Sequence, residues 1–170
     1  MDHEVMNRAI PASVEVRRAN QDDAAALVRL RALMLEDMGL STQETPWRHA
    51  ALEWFTERLG DTQNFAAFVV DDPHLGPVSN AVGICDRHAP SPHNLSGIHG
   101  HVFNISTDPS RQRRGYARAC LKALLDWYGN ETEARVINLN ATGHGMALYR
   151  SLGFAAPRYP ALQLRTGRRE

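Results

Sequence analysis

The chain has 170 residues, 43% of them hydrophobic and 22% charged, which suits one globular domain with a real core. Nineteen Lys and Arg balance nineteen Asp and Glu, so no global field recommends nucleic acid or an anionic membrane as a partner. No apolar run approaches the ~20 residues that span a bilayer, and the start MDHEVMNRAIPAS has no signal-peptide core.

Residues 1–12 are therefore expected to be a flexible leader, residues 13–170 a single domain, and the location cytoplasmic. Ser13–Arg18 alternates and reads as a first strand. Asn20 or Asp22 caps a helix over Asp23–Met38, where Leu27, Leu30, Met34 and Met38 form one apolar stripe ended by Gly39. A second helix is expected over Trp47–Leu59, anchored by Trp54, Phe55 and Leu59. Asn64–Asp72 and Val78–Asp86 read as a hairpin across a Pro-His-Leu-Gly-Pro turn. Arg87–Gly100 is a His-, Pro-, Ser- and Asn-rich loop, followed by a strand over His101–Thr107. A helix over Gly115–Tyr128, a strand over Arg135–Asn140, a short helix over Met146–Leu152 stopped by Gly153 and a closing strand over Ala161–Arg165 complete the order. That order predicts a mixed α/β sheet with helices on its faces.

Cys85 and Cys120 read as two buried thiols rather than a disulfide. His88, His93, His99 and His101 lie in or beside a loop without an acidic or thiol partner, and no metal site is expected.

The most informative stretch is DPSRQRRGYARACLKALLDWY, Asp108–Tyr128. Its first half holds Arg111, Arg113, Arg114 and Arg118 around one glycine, directly ahead of a helix. First-turn N–H groups lack intrahelical partners, and the helix dipole favours negative charge there. Cations at that end oppose the dipole, so the cluster makes sense with an anion present. A pyrophosphate fits. The stretch is not a GxxxxGK[ST] loop, and no GxGxxG follows the first strand.

Gln112-Arg113-Arg114-Gly115-Tyr116-Ala117 resembles the (Gln/Arg)-x-x-Gly-x-(Gly/Ala) signature of the GNAT superfamily of acyl-CoA-dependent N-acyltransferases. The preceding Thr107-Asp108-Pro109 and the later Ala147-Leu148-Tyr149-Arg150-Ser151-Leu152-Gly153-Phe154 resemble that family as well. The likeness is firmest over Gly100–Phe154. It implies a GNAT-like mixed central β-sheet, splayed between two central strands and flanked by helices on both faces. It also implies acetyl-CoA as cosubstrate. Gln112, Arg113, Arg114, Gly115, Tyr116, Ala117 and Arg118 would hold the pyrophosphate, and Ile105, Ser106 and Thr107 would pair with the pantetheine arm.

Acyl transfer to an amine needs a base for the amine, a donor for the oxyanion and an acid for the departing sulfur. The resemblance puts Tyr149 in the place of the acid and a backbone N–H near Ile105 at the oxyanion. His101, eleven residues ahead of Gln112, resembles the position where histone acetyltransferases carry glutamate and serotonin acetyltransferases histidine. Histidine is the side chain whose ordinary titration lies near neutrality. His99 shares its strand face, and Cys85, Asp86 and His88 are lesser candidates. Many members carry asparagine seven residues before the tyrosine. Here that position is Thr142, with Asn140 as a substitute.

Acceptor choice is expected to rest on Met34–Trp47 and Arg87–His99. There Glu36, Asp37 and Glu44 could draw a cationic amine, and Trp47 offers a flat wall. A small-molecule amine is the leading acceptor, with a protein lysine or N-terminus next. A sensor that binds acyl-CoA without turnover is a further alternative. A homodimer is an expectation from the family alone.

Overall fold

The structure, a computed structural model, describes residues 13–167. The expected leader over residues 1–12 lies outside that range. The chain divides into two compact units between Asn140 and Ala141.

The first unit is a six-stranded mixed sheet with helices on both faces. Its strands are β1 (Arg17–Arg18), β2 (Phe65–Asp72), β3 (Gly76–Arg87), β4 (Ile98–Val102), β5 (Ser106–Thr107) and β6 (Val136–Leu139). The path through the sheet is β1-β2-β3-β4-β6, and β5 pairs with β3. All pairings are antiparallel except β4 with β6. Helices α1 (Ala24–Asp37) and α2 (Pro46–Leu59) cover one face, and α3 (Tyr116–Glu131) covers the other.

The expected helix entry is present. The Asn20 side chain accepts the Asp22 N–H, Asp23 returns a bond to the Asn20 N–H, and a 3-10 turn over Gln21–Asp23 leads into α1. Leu27 and Leu30 of the expected stripe are buried, while Met38 at its end is 54% exposed. Leu27, Val28, Phe55, Leu59, Phe65, Ala67, Val69 and Val82 form the core between these helices and the sheet.

The first strand is shorter than expected. Only Arg17 and Arg18 pair, opposite Val69 and Phe68, and the register of β2 shifts between Val70 and Asp71 just where the ladder would continue. Arg17 is instead held by carboxylates, 2.8 Å from Asp23 and 2.5 Å from Asp71.

On the opposite face, Leu121, Leu124, Trp127 and Tyr128 of α3 are buried. The Tyr128 ring lies against Gly83 and Gly100. An added β-carbon at Gly100 would sit 2.6 Å from Tyr128 Cε1. Glycines on two neighbouring strands thus open a slot for one ring. Tyr128 Oη donates within the slot, 2.8 Å from the Ile84 carbonyl oxygen and 3.2 Å from that of His101. Cys85 is half-buried and Cys120 buried, both as free thiols, and burial pushes Cys120 up to about 12.

The second unit contains α4 (Met146–Ser151). Gly153 at φ 95° ends it, with Gly153 N–H bonded to Arg150 O and Phe154 N–H to Tyr149 O. The expected closing strand over Ala161–Arg165 does not form: the segment has no regular secondary structure, and Leu162 and Leu164 are exposed.

Candidate active site

The turn ahead of α3 is built mainly by its backbone. Asp108 opens a 3-10 turn over Pro109–Arg111 by accepting the Ser110 N–H at 2.9 Å and the Ser110 hydroxyl at 2.6 Å. Arg113 at φ 60° and Gly115 at φ 79° are both left-handed. Nothing lies within 4 Å of a β-carbon built on Gly115, so its φ, not crowding, is what asks for glycine. Left-handed residues in such a turn direct successive N–H groups to one side, the geometry of an anion cradle.

Gly115 is the N-cap of α3, which has no side-chain cap and no acid in its first turn. Ala119 N–H bonds to Gly115 O at 3.0 Å, so the first intrahelical acceptor is taken only at Ala119, and the N–H groups of Tyr116 and Ala117 lie in the turn that precedes it. Arg113 and Arg114 are exposed beside them, as is Arg118. Gln112 reaches back to Thr107 O at 3.4 Å. This donor set fits the pyrophosphate of a CoA cosubstrate. Arg111 Nε sits 2.7 Å from Asp72 Oδ2 and ties the turn to the end of β2.

The strand before the turn is interrupted. It was expected over His101–Thr107. It runs instead as β4 to Val102, and as β5 over Ser106–Thr107. Asn104 at φ 49° makes the break, and asparagine tolerates that region better than most residues. Buried side chains hold the break. Asn104 Oδ1 accepts from Arg31 at 3.3 Å, and Asn80 Oδ1 accepts the Ser106 N–H at 3.2 Å. Ser79 and Thr107 hydroxyls lie 2.8 Å apart. The ladder of β4 with β6 ends at Val102↔Leu139, and β5 pairs with β3 instead. The sheet is therefore open between β5 and β6, next to Ile105.

His101 stands on β4 opposite Ile84, half-buried, its ring stacked on Phe103 at 6.0 Å and 12°. His99 is on the same face, with the ring of His88 as its neighbour at 4.3 Å. Phe103 also lines a cavity of about 550 Å³ between α1, α2 and the sheet, together with Arg31, Trp47, Trp54, Phe55 and Ile84. Trp47, expected as a flat wall for the acceptor, lines this cavity. Glu36, Asp37 and Glu44 do not line this cavity, and Glu36 accepts the Thr42 hydroxyl.

Within the second unit, Gly145 N–H bonds to Thr142 O at 3.1 Å and the Thr142 side chain is exposed. The Tyr149 ring lies on Gly145, where an added β-carbon would stand 2.7 Å from Tyr149 Oη. Phe154 packs edge-on against it at 6.2 Å. Burial pushes the Tyr149 phenol pKa up.

Arg31, Trp54, Phe103, Asn80 and Asn104 were not anticipated as site residues. An asparagine inside a β-run was the available signal for the break. For the cavity there was none, because its lining comes from distant parts of the chain.

A mixed sheet that opens beside a basic, backbone-built turn is a scaffold suited to a phosphate-bearing ligand laid along the sheet edge. The model of the acetyltransferase (GNAT) family matches residues 28–154, and the chain belongs to that family, whose members are acetyl-CoA-dependent acyltransferases. Solved structures agree on the fold. A predicted acetyltransferase with acetyl-CoA from Clostridium acetobutylicum is 21% identical, with a TM-score of 0.78 over 89% of this chain and 95% of that one. A GCN5-related N-acetyltransferase from Ralstonia eutropha JMP134 is 21% identical, with a TM-score of 0.76 over 88% and 97%. An aminoglycoside acetyltransferase from an uncultured soil metagenomic sample, in complex with sisomicin, is 16% identical, with a TM-score of 0.64 over 91% and 96%. No curated protein matches the sequence.

Proposed function

We propose that this acetyltransferase transfers an acetyl group from acetyl-CoA to the primary amine of a small molecule. The observation that carries the reading is the aromatic cavity of about 550 Å³, whose Phe103 wall stacks on His101. Its volume lies within the range of small-molecule sites. One neighbour in fold is an aminoglycoside acetyltransferase, which is in keeping with a small acceptor.

The N–H groups of Gln112–Ala117, with Arg113, Arg114 and Arg118, hold the pyrophosphate. The backbone of Ile105, Ser106 and Thr107 at the open sheet edge takes the pantetheine, and the family motif assigns Thr142 to the arm or a phosphate. Acetyl-CoA, when bound, supplies an acyl carbon activated as a thioester. His101 takes the proton that the amine releases as its nitrogen bonds to that carbon and the carbon–sulfur bond breaks. The Ile105 N–H stabilises the negative charge on the carbonyl oxygen. Tyr149 gives a proton to the departing sulfur, a role assigned from the family motif. Its raised phenol pKa keeps that proton in place at neutral pH.

The test is thermal denaturation with and without acetyl-CoA, then thiol release from the same complex against small amines. A ligand that binds only the native state raises its apparent stability. A rise in midpoint and CoA release with an amine are expected. No shift at saturating acetyl-CoA removes the reading. A shift without release by any small amine leaves the sensor or a protein acceptor in its place.

A further inference from the structure

The one charged side chain lining the cavity is basic, whereas the acids Glu36, Asp37 and Glu44 were expected to draw a cationic acceptor. Apart from Arg31 its lining is apolar or aromatic. Arg31 is half-buried on α1, and its hydrogen-bond partner is neutral, Asn104 Oδ1 at 3.3 Å. Among the described residues no carboxylate lies within ion-pair distance of it. Four other arginines of this unit, Arg17, Arg18, Arg29 and Arg111, each have one. A guanidinium carries five N–H donors, and withdrawing it from water without an anion is costly. Consistent with that cost, burial alone pushes the Arg31 pKa down.

The aromatic walls do not substitute for an anion, and they are poorly placed to attract a cation. Trp47 carries the Arg48 guanidinium 5.0 Å from its ring centre, and Trp54 carries that of Arg58 at 5.6 Å. Both indoles thus already engage a cation, and together with Arg31 the surroundings are positive. The complement of this cavity is an anion joined to a flat or bulky apolar body.

We infer that the acceptor is an amino acid or a close analogue: a primary amine with a carboxylate that Arg31 receives and an aromatic or branched body seated against Trp54 and Phe103. The planar fork of arginine matches a carboxylate through paired N–H bonds, where an ammonium would offer only a point charge. Phe103 lines the cavity, and its ring is near-parallel to that of His101 at 6.0 Å. In an α-amino acid the amine stands one carbon from the carboxylate, so a carboxylate held by Arg31 also fixes where the amine sits.

This inference rests on the small-molecule acetyltransferase reading, and the experiment separates the two. Acetyl-CoA-dependent thiol release is measured with phenylalanine, phenylalaninamide and 2-phenylethylamine, and with leucine, leucinamide and isopentylamine. The wild type and the variants Arg31→Met and Arg31→Lys are compared, each first checked for its thermal shift with acetyl-CoA. In the wild type the carboxylate member of a set is expected to exceed its amide and amine at least about tenfold in kcat/KM. Arg31→Met should retain the acetyl-CoA shift, lose that preference through KM and bring the three compounds within about threefold of one another. Arg31→Lys should restore part of the preference. Equal use of the amide or amine by the wild type, a preference that survives Arg31→Met, or an acetyl-CoA shift with no turnover of either carboxylate overturns the inference. Absence of the acetyl-CoA shift in the wild type overturns instead the reading beneath it.

Discussion

The turn over Gln112–Gly115 and the cavity around Arg31, Trp54 and Phe103 are built from different materials. The turn is mostly main chain: two left-handed residues, a helix end without a side-chain cap and exposed arginines. The cavity is mostly side chain, with aromatic walls from α2 and from Phe103 just after β4, and one guanidinium from α1. A backbone cradle suits a group that does not vary, such as a pyrophosphate, because N–H groups cannot be exchanged by mutation. A side-chain pocket can be re-cut one residue at a time without touching the fold. Specificity for the acceptor is therefore expected to reside in the cavity, and affinity for the cosubstrate in the turn.

The sharpest way to separate the two is His101→Gln. His101 belongs to the cavity side through its stack on Phe103. Loss of a positioned base costs about 10²–10⁴ in rate, so kcat with any accepted amine should fall by about 100-fold. The acetyl-CoA-dependent rise in thermal midpoint should persist. A loss of less than threefold would move the base elsewhere on the cavity side. A lost acetyl-CoA shift would break the division itself.

Gly100→Ala tests how the fold supports the cavity side. The new methyl would lie 2.6 Å from Tyr128 Cε1 and 2.8 Å from Cζ. Overpacking of this kind costs about 1–3 kcal/mol, read as a lowered midpoint in denaturant. Because the displaced ring also donates to the His101 carbonyl oxygen at 3.2 Å, kcat should fall as well. An unchanged midpoint would mean that the Tyr128 slot has room to give.

The two regions also differed in how legible they were. The turn lies in one contiguous stretch, and its glycine and arginines carry their physical meaning locally. The same holds for the Asn20 cap, the α1 stripe and the β2–β3 hairpin, each specified by neighbours a few residues apart. The cavity draws on residues 31, 47, 54 and 103, which only the folded topology brings together. The break at Asn104 was hidden because Phe103 and Ile105 keep the apolar look of a continuing strand. Alternation misled at Leu162 and Leu164, which are 95% and 85% exposed. A period of two shows a face that can be buried, but a strand exists only where a neighbour supplies the ladder.

On the turn side, Gly115→Ala should weaken acetyl-CoA binding by about tenfold, roughly 1.4 kcal/mol. There is open space for the methyl, so the loss comes from a β-carbon at φ 79°. The KM of the amine should change little. Binding of acetyl-CoA at wild-type strength would show that the N–H cradle does not depend on the left-handed residue.

The smallest effect is expected from Asp72→Asn, which loosens the turn from β2 without altering the cradle. The Arg111 guanidinium, then the N–H groups of His74 and Leu75, hold the Asp72 carboxyl down to about 2, below its ordinary 3.8. A carboxyl depressed in the folded state stabilises it above the unfolded pKa and stops doing so as pH falls through the folded value. The wild type should therefore have the higher thermal midpoint at pH 6, and the gap to Asp72→Asn should narrow as the pH drops from about 4 toward 2. The partial exposure of the pair keeps that gap below the one seen with Gly100→Ala. A gap that stays constant across this range would mean that the ionised pair adds nothing, leaving Asp108 and its Ser110 bonds to fix the turn, and acetyl-CoA affinity would then be the same in both proteins.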